Sequence, residues 1–298
     1  MKRVALTLAA MTLTLAACEP QPAGEPVVTV ELGDGDGGGD SGGDGGGDGA
    51  EIVPEPSLAG ESEQAAEDAP RQASACSGAE FEGVPLTHCI ADPAIHTIDT
   101  ALAPRSGPDA ALLLGWADTV DNSTIAFATN AGIYGDDLRA LGYFVIGGER
   151  LRELDTDEGS GNFYLKPNGV FFGSGSEWRI LTSDAFLKTV RDRPQFGTQS
   201  GPMLVIDGKL HPDIAENGAS RAIRNGVGLD NGGRAHFVMA QEPLSFGQLA
   251  RFFRDELDTP NALYLDGGAA SNLWEPASAR MDGGRVGPIL VVSKKAAE

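Results

Sequence analysis

The chain has 298 residues and a formal net charge of −21, with 41% hydrophobic and 6% aromatic residues. So acidic a protein makes nucleic acid an unfavourable partner. Three cysteines and four histidines are too few for a disulfide-dense scaffold and leave little material for a zinc site.

Lys2 and Arg3 precede an uncharged, largely apolar run from Val4 to Ala17. It is shorter than the roughly 20 residues that span a bilayer, and it reads as a signal peptide over residues 1–17. Leu15-Ala16-Ala17-Cys18 resembles a bacterial lipobox, which implies lipidation at Cys18. The expectation is an exported lipoprotein whose acyl chains enter a lipid bilayer and whose protein part faces the periplasm or the cell exterior. With Cys18 acylated, Cys76 and Cys89 remain as an even pair in an oxidising compartment, and a disulfide between them is expected.

Residues 19–75 hold 14 acidic residues and one basic residue, Arg71. With so little apolar surface to bury, residues 18–75 are expected to form a lipid-attached, disordered acidic linker. The folded domain is placed at residues 76–298, which carry 29 acidic and 19 basic residues.

Short apolar runs punctuated by Gly or Asn-Gly predict strands in that domain. In chain order they are 95–102, 111–116, 124–131, 143–146, 163–165, 170–172, 178–181, 203–206, 227–229, 235–240, 262–265 and 286–292. Asp207-Gly208 and Asn231-Gly232 predict hairpin turns. Two helices are predicted. The first covers 183–191 with Ser183 at its N-cap. The second covers 245–257, opening on the capping-box spacing of Ser245 and Gln248, with Phe246, Leu249, Ala250, Phe253 and Leu257 on one buried face. Hairpins with few helices predict an α+β single domain with a largely antiparallel or mixed sheet.

Most catalytic signatures are missing. The Gly-x-Ser-x-Gly match at 39–43 lies in the acidic linker, where no nucleophile elbow can form. There is no His-Glu-x-x-His, Cys-x-x-Cys pair, Walker loop or dinucleotide-binding glycine pattern. His88, His96, His211 and His236 have no metal-ligand spacing and are expected to be structural. No cofactor is expected. Asp155-Thr156-Asp157-Glu158-Gly159 offers oxygens at alternate positions, as calcium loops do, but lacks the full EF-hand pattern and is read as a solvated loop.

What remains is a set of polar residues in Gly-rich turns at strand ends. They are Thr129-Asn130-Ala131-Gly132, Gly161 through Lys166-Pro167-Asn168-Gly169, Gln199-Ser200-Gly201-Pro202, Arg224-Asn225-Gly226-Val227-Gly228, and Tyr264-Leu265-Asp266-Gly267-Gly268. In this order, from about Phe127 to Val292, they resemble the phosphodiester glycosidase domain family, nearest its bacterial envelope branch. Two positions depart from the better-studied branch. Asp266-Gly267-Gly268-Ala269-Ala270-Ser271 stands where that branch runs Asp-Gly-Gly-Gly-Ser, and Asn225 stands where Thr commonly follows the motif arginine.

The resemblance implies hydrolysis of a sugar 1-phosphodiester at the anomeric bond, releasing a sugar and a phosphomonoester. The expected partner is therefore a carbohydrate or sugar-phosphate substrate. Such chemistry needs donors for the leaving phosphate and a carboxylate for water or the anomeric carbon. Asp266 is the expected base or nucleophile. Arg224 offers a fork for phosphate, and Asn130 is expected to orient sugar or phosphate. Ser200, Gly201, Lys166, Asn168, Arg221, Asn225, Gly267 and Gly268 are the expected substrate-binding residues. The alternative is a non-catalytic carbohydrate-binding or scaffolding lipoprotein with the same fold.

Overall fold

In the computed structural model the described residues are 73–278 and 280–296, with backbone alone described at 280–282. The signal peptide, Cys18 and the acidic linker up to residue 72 lie outside them.

Three antiparallel sheets carry the fold. The seven-stranded sheet runs, in spatial order, Cys76–Phe81, Val84–Ala91, Ala235–Ala240, Asn225–Leu229, Asn261–Tyr264, Met203–Ile206 and Lys209–Leu210. One five-stranded sheet runs Arg280–Asp282, Leu273–Glu275, Ile125–Asn130, Pro288–Lys294 and His96–Leu102. The other runs Glu149–Arg152, Phe144–Ile146, Phe196–Ser200, Gly169–Ser174 and Glu177–Thr182. Arg221–Ala222 and Leu244–Ser245 form a short separate ladder. With few helices beside them, the architecture is the α+β class expected from the hairpin-rich sequence.

The sheets share one core because each contributes phenylalanine to it. Phe127, Phe237 and Phe171 come from the three different sheets. Phe127 and Phe237 are 5.2 Å apart edge to face, and Phe171 lies 6.0 Å from Phe237 and 5.2 Å from Phe196. Burying each ring contributes about 1.5–3 kcal/mol, and edge-to-face pairs add about 0.5–1.5 kcal/mol.

Local chemistry explains most elements. At Asp207-Gly208 both residues have positive φ, 47° and 75°, as the two-residue turn between Met203–Ile206 and Lys209–Leu210 requires. Ser245 and Gln248 form the reciprocal capping box, each bond 3.1 Å long, at the start of Phe246–Arg251. That helix continues into a π turn at Phe252–Glu256 and buries Leu249, Ala250 and Phe253. Cys76 lies directly opposite Cys89 across the first hairpin and is disulfide-bonded to it.

Several expectations are corrected. Residues 111–116, expected as a strand, give the helix Leu113–Ala117. Ala111 takes φ of 59°, which breaks an extended run, and Leu113, Trp116 and Ala117 are buried at helical spacing. Residues 163–165 form the 3-10 turn Asn162–Tyr164, entered through Gly161 at φ 89° and fixed by the Asn168 side-chain amide donating to the Phe163 carbonyl at 2.9 Å. The helix Ser183–Thr189 is capped by Thr182, whose hydroxyl accepts from the Ala185 N–H, not by Ser183. The turn around Asn231-Gly232 spans the gap between Leu229 and Ala235 and is organised by Asp230, whose carboxylate accepts from the N–H groups of Gly232 and Arg234, each at 2.9 Å. No helix among the described residues is long and apolar enough to cross a membrane.

Candidate functional site

The strand Ile125–Asn130 ends on a carboxamide that is fully buried and fully used. The Asn130 amide nitrogen donates to the backbone carbonyl of Asp266 at 2.6 Å and to that of Ala131 at 3.2 Å. Its oxygen accepts from the Asn225 side chain and the Asn272 N–H, both at 2.9 Å. Asn225 in turn accepts from the Ser271 hydroxyl at 3.2 Å. Asn130 and Asn225, expected to touch substrate, are instead the internal framework of the turn that carries Asp266. An amide with its donors and acceptor engaged has no group left for a sugar.

Asp266 follows the strand Asn261–Tyr264, and its N–H donates to the Ala131 carbonyl at 3.3 Å. Burial pushes its carboxyl up to about 6, against the opposing pull of the Tyr134 and Gly267 N–H groups. Gly267 is required here, because a Cβ would fall 2.0 Å from the Tyr264 hydroxyl. Gly268 takes φ of 68°, and its N–H donates to the Ile223 carbonyl at 2.8 Å.

Arg224 is buried, with its guanidinium carbon 3.6 Å from the centre of the Phe246 ring. Its Nε donates to the Leu244 carbonyl at 3.0 Å, and one Nη reaches the Ser220 carbonyl and hydroxyl at 3.3 and 3.2 Å. The fork expected for phosphate is thus largely occupied. No carboxylate forms an ion pair with it among the described residues, and burial draws its pKa down. A buried cation without a counter-ion is costly. Tyr264 stands beside it, the centre of its ring 5.8 Å from the guanidinium carbon and its hydroxyl against Gly267; burial pushes this phenol up to about 12, with the Arg224 charge opposing and the Asp266 charge adding to the rise. Tyr264 thus feels both the cation and the carboxyl.

Only part of the remaining expected set borders that turn. The Pro202 carbonyl accepts from the Tyr264 N–H at 3.1 Å, and Gly132 N–H donates to Thr198 at 3.0 Å, so the segment 198–202 borders the Asp266 turn. Ser200 and Gly201 are buried there, and the Ser200 hydroxyl has no hydrogen-bond partner among the described residues. Gln199 is a second saturated carboxamide, accepting from the N–H groups of Tyr143 and Asp155 and donating to Asp155 and Ser183. Lys166 and Asn168 line a cleft of about 270 Å³ with Asp155, Ser183 and Asp184. The Lys166 ammonium is bound to Glu158 at 2.7 Å and to the Thr156 carbonyl at 2.9 Å. Arg221 lies apart from the Asp266 turn in its bonding, donating to Gln248 at 2.8 Å.

In the loop weighed for calcium, the Asp155 carboxylate accepts from the Asp157 N–H at 2.8 Å and Glu158 pairs with Lys166. Among the described residues no group of three or more acidic, His or Cys side chains is arranged to hold a metal ion. Two histidines far apart in sequence do meet. His88 Nε2 lies 2.9 Å from His236 Nδ1, and His236 Nε2 lies 3.2 Å from Asp230.

The sequence profile of the phosphodiester glycosidase family matches residues 123–293, which include Asn130, Arg224 and Asp266. The chain belongs to the phosphodiester glycosidase family. It is similar to the uncharacterized protein YigE of Escherichia coli K12, at 38% identity over 151 residues. That match spans 51% of this chain and 59% of the Escherichia coli protein. The fold is also similar to the zebrafish N-acetylglucosamine-1-phosphodiester alpha-N-acetylglucosaminidase catalytic domain auto-inhibited by its pro-peptide, with a TM-score of 0.49 and 14% identity, covering 74% of this chain and 82% of that one. A hypothetical protein from Synechocystis gives a TM-score of 0.46 at 15% identity, over 74% of this chain and 61% of that one.

Proposed function

We propose that this member of the phosphodiester glycosidase family is an envelope-anchored lipoprotein, held through Cys18, that hydrolyses a sugar 1-phosphodiester at the anomeric bond. The observation that carries the reading is Asp266, a carboxyl whose pKa is raised to about 6 and whose backbone is clamped by Asn130, beside Tyr264, a phenol that feels the charges of both Asp266 and Arg224. A carboxyl titrating near 6 is ionised at neutral pH yet basic enough to take a proton.

In this reading Asp266 activates water or attacks the anomeric carbon, and the bond from that carbon to the phosphate oxygen breaks. The leaving phosphomonoester has a second ionisation near pKa 6 and needs little acid assistance. Arg224 acts through its fixed charge and through the Tyr264 hydroxyl, not as an open two-pronged clamp. The positive potential of a buried guanidinium favours the anion that develops as the bond breaks.

A carbohydrate-binding protein without turnover is the second reading. It is favoured by the occupied donors of Arg224 and the sealed hydroxyl of Ser200. Incubating the purified protein with a panel of sugar 1-phosphodiesters separates the two. Sugar release that disappears in Asp266→Asn supports the hydrolase, whereas binding without release across the panel supports the second reading.

A further inference from the structure

A second cleft, of about 240 Å³, lies where Leu102, the start of the strand Phe144–Ile146 and the strand Glu149–Arg152 come together. Three arginines line it, Arg105, Arg139 and Arg152, and among the described residues no carboxylate does. The charge is nearly uncompensated. Among the described residues Arg105 reaches only the Asp137 backbone carbonyl at 3.4 Å, and Arg152 only that of Leu141 at 3.3 Å. Arg139 stands 3.7 Å from the Asp137 carboxylate with both side chains well exposed, a pairing worth little. Three guanidiniums converging on one cleft repel one another, and an anion placed among them relieves that repulsion. In a domain of 29 acidic and 19 basic residues, such a concentration of arginine is not what a random surface supplies.

The rest of the lining is apolar. Leu102 and Phe144 form its floor, and Leu151 stays 47% exposed beside them. We propose that this cleft binds an anionic amphiphile, with a phosphate held by the three guanidiniums and an alkyl stem lying on Leu102, Phe144 and Leu151. Planar guanidiniums match phosphate in pairs of parallel hydrogen bonds, and each methylene buried against the apolar wall adds to the affinity. The site does not depend on the reaction proposed above.

Calorimetric titration of the full-length protein with octyl phosphate, inorganic phosphate and octyl glucoside tests it. Octyl phosphate is expected to bind at least about tenfold more tightly than inorganic phosphate, given its buried methylenes, and octyl glucoside not at all. Binding should weaken with added salt and be lost in the triple variant Arg105→Gln, Arg139→Gln, Arg152→Gln. Because these side chains are exposed, the variant should melt as the native protein does. Leu151→Ser should weaken octyl phosphate and leave inorganic phosphate unchanged. Arginine-dependent capture on vesicles containing phosphatidic acid would assign the anion to a lipid headgroup, and octyl phosphate binding without capture would assign it to a soluble amphiphile. Equal affinity for octyl phosphate and inorganic phosphate, or undiminished binding by the triple variant, would overturn the proposal.

Discussion

The Asn130 side-chain amide donates to the backbone carbonyl of Asp266 at 2.6 Å, so the turn that carries the proposed catalytic carboxyl is built on Asn130. Removing that amide strands three buried partners, the Asp266 carbonyl, the Asn225 amide and the Asn272 N–H. Each unsatisfied buried group costs about 1–3 kcal/mol. Asn130→Ala should therefore lower stability by at least about 3 kcal/mol in urea unfolding, an amount that loss of a mere substrate contact would not produce. A midpoint equal to that of the native protein would show that the framework tolerates the loss.

Asp266 has a second signature, in stability against pH. Its folded pKa of about 6 lies above the ordinary value of 3.8, so the folded state holds the proton more tightly than the unfolded one. The stabilisation from this group is complete below the unfolded pKa and is lost as pH rises through about 6. Asp266→Asn should consequently melt higher than the native protein at pH 8 and close to it at pH 4. An activity-dead variant that is also less stable at pH 8 would place Asp266 in a structural role.

The paired imidazoles of His88 and His236 should work in the opposite direction. Burial first, then His236 and Arg234, depress His88 to about 4 from 6.5, so the unfolded chain binds the proton more readily. Stability from His88 is present above pH 6.5 and is lost as pH falls toward 4. His88→Gln should flatten the acid limb of the melting curve between those values. An unchanged slope would mean that His88 is already charged in the fold.

The disulfide between Cys76 and Cys89 closes a loop of sequence separation 13 and joins two strands of the first hairpin. A loop near this size contributes about 3 kcal/mol in the chain-entropy account. Dithiothreitol should lower the thermal midpoint by several degrees, and Cys76→Ala with Cys89→Ala should reproduce the shift without reductant. Identical melting with and without the bond would contradict its energetic role.

Much of the framework was legible because short apolar runs closed by turns such as Asp207-Gly208, and a helix opened by the capping box of Ser245 and Gln248, report on neighbours a few residues away. The run 111–116 misled because four or five consecutive apolar residues do not distinguish a buried strand from a buried helix. The hairpin Cys76–Phe81 with Val84–Ala91 went unpredicted apart from its cysteines, since Pro85, Thr87 and His88 interrupt its apolar pattern. At the site, Arg224 and Asp266 were legible as residues but their surroundings were not. Asn130 meets Asp266 and Asn272 across more than a hundred residues, and only the fold decides that its amide faces inward. The same holds for the Phe246 ring that covers Arg224.

The central claim is that the anomeric carbon–oxygen bond breaks at the Asp266 turn. Hydrolysis, in water enriched in oxygen-18, of a sugar 1-phosphodiester that the panel shows to be turned over, with mass analysis of the phosphomonoester, tests it most directly. The account predicts a phosphomonoester free of the heavy isotope, formed by the native protein and not by Asp266→Asn. Oxygen-18 in the phosphate, or equal product from the two proteins, would contradict it.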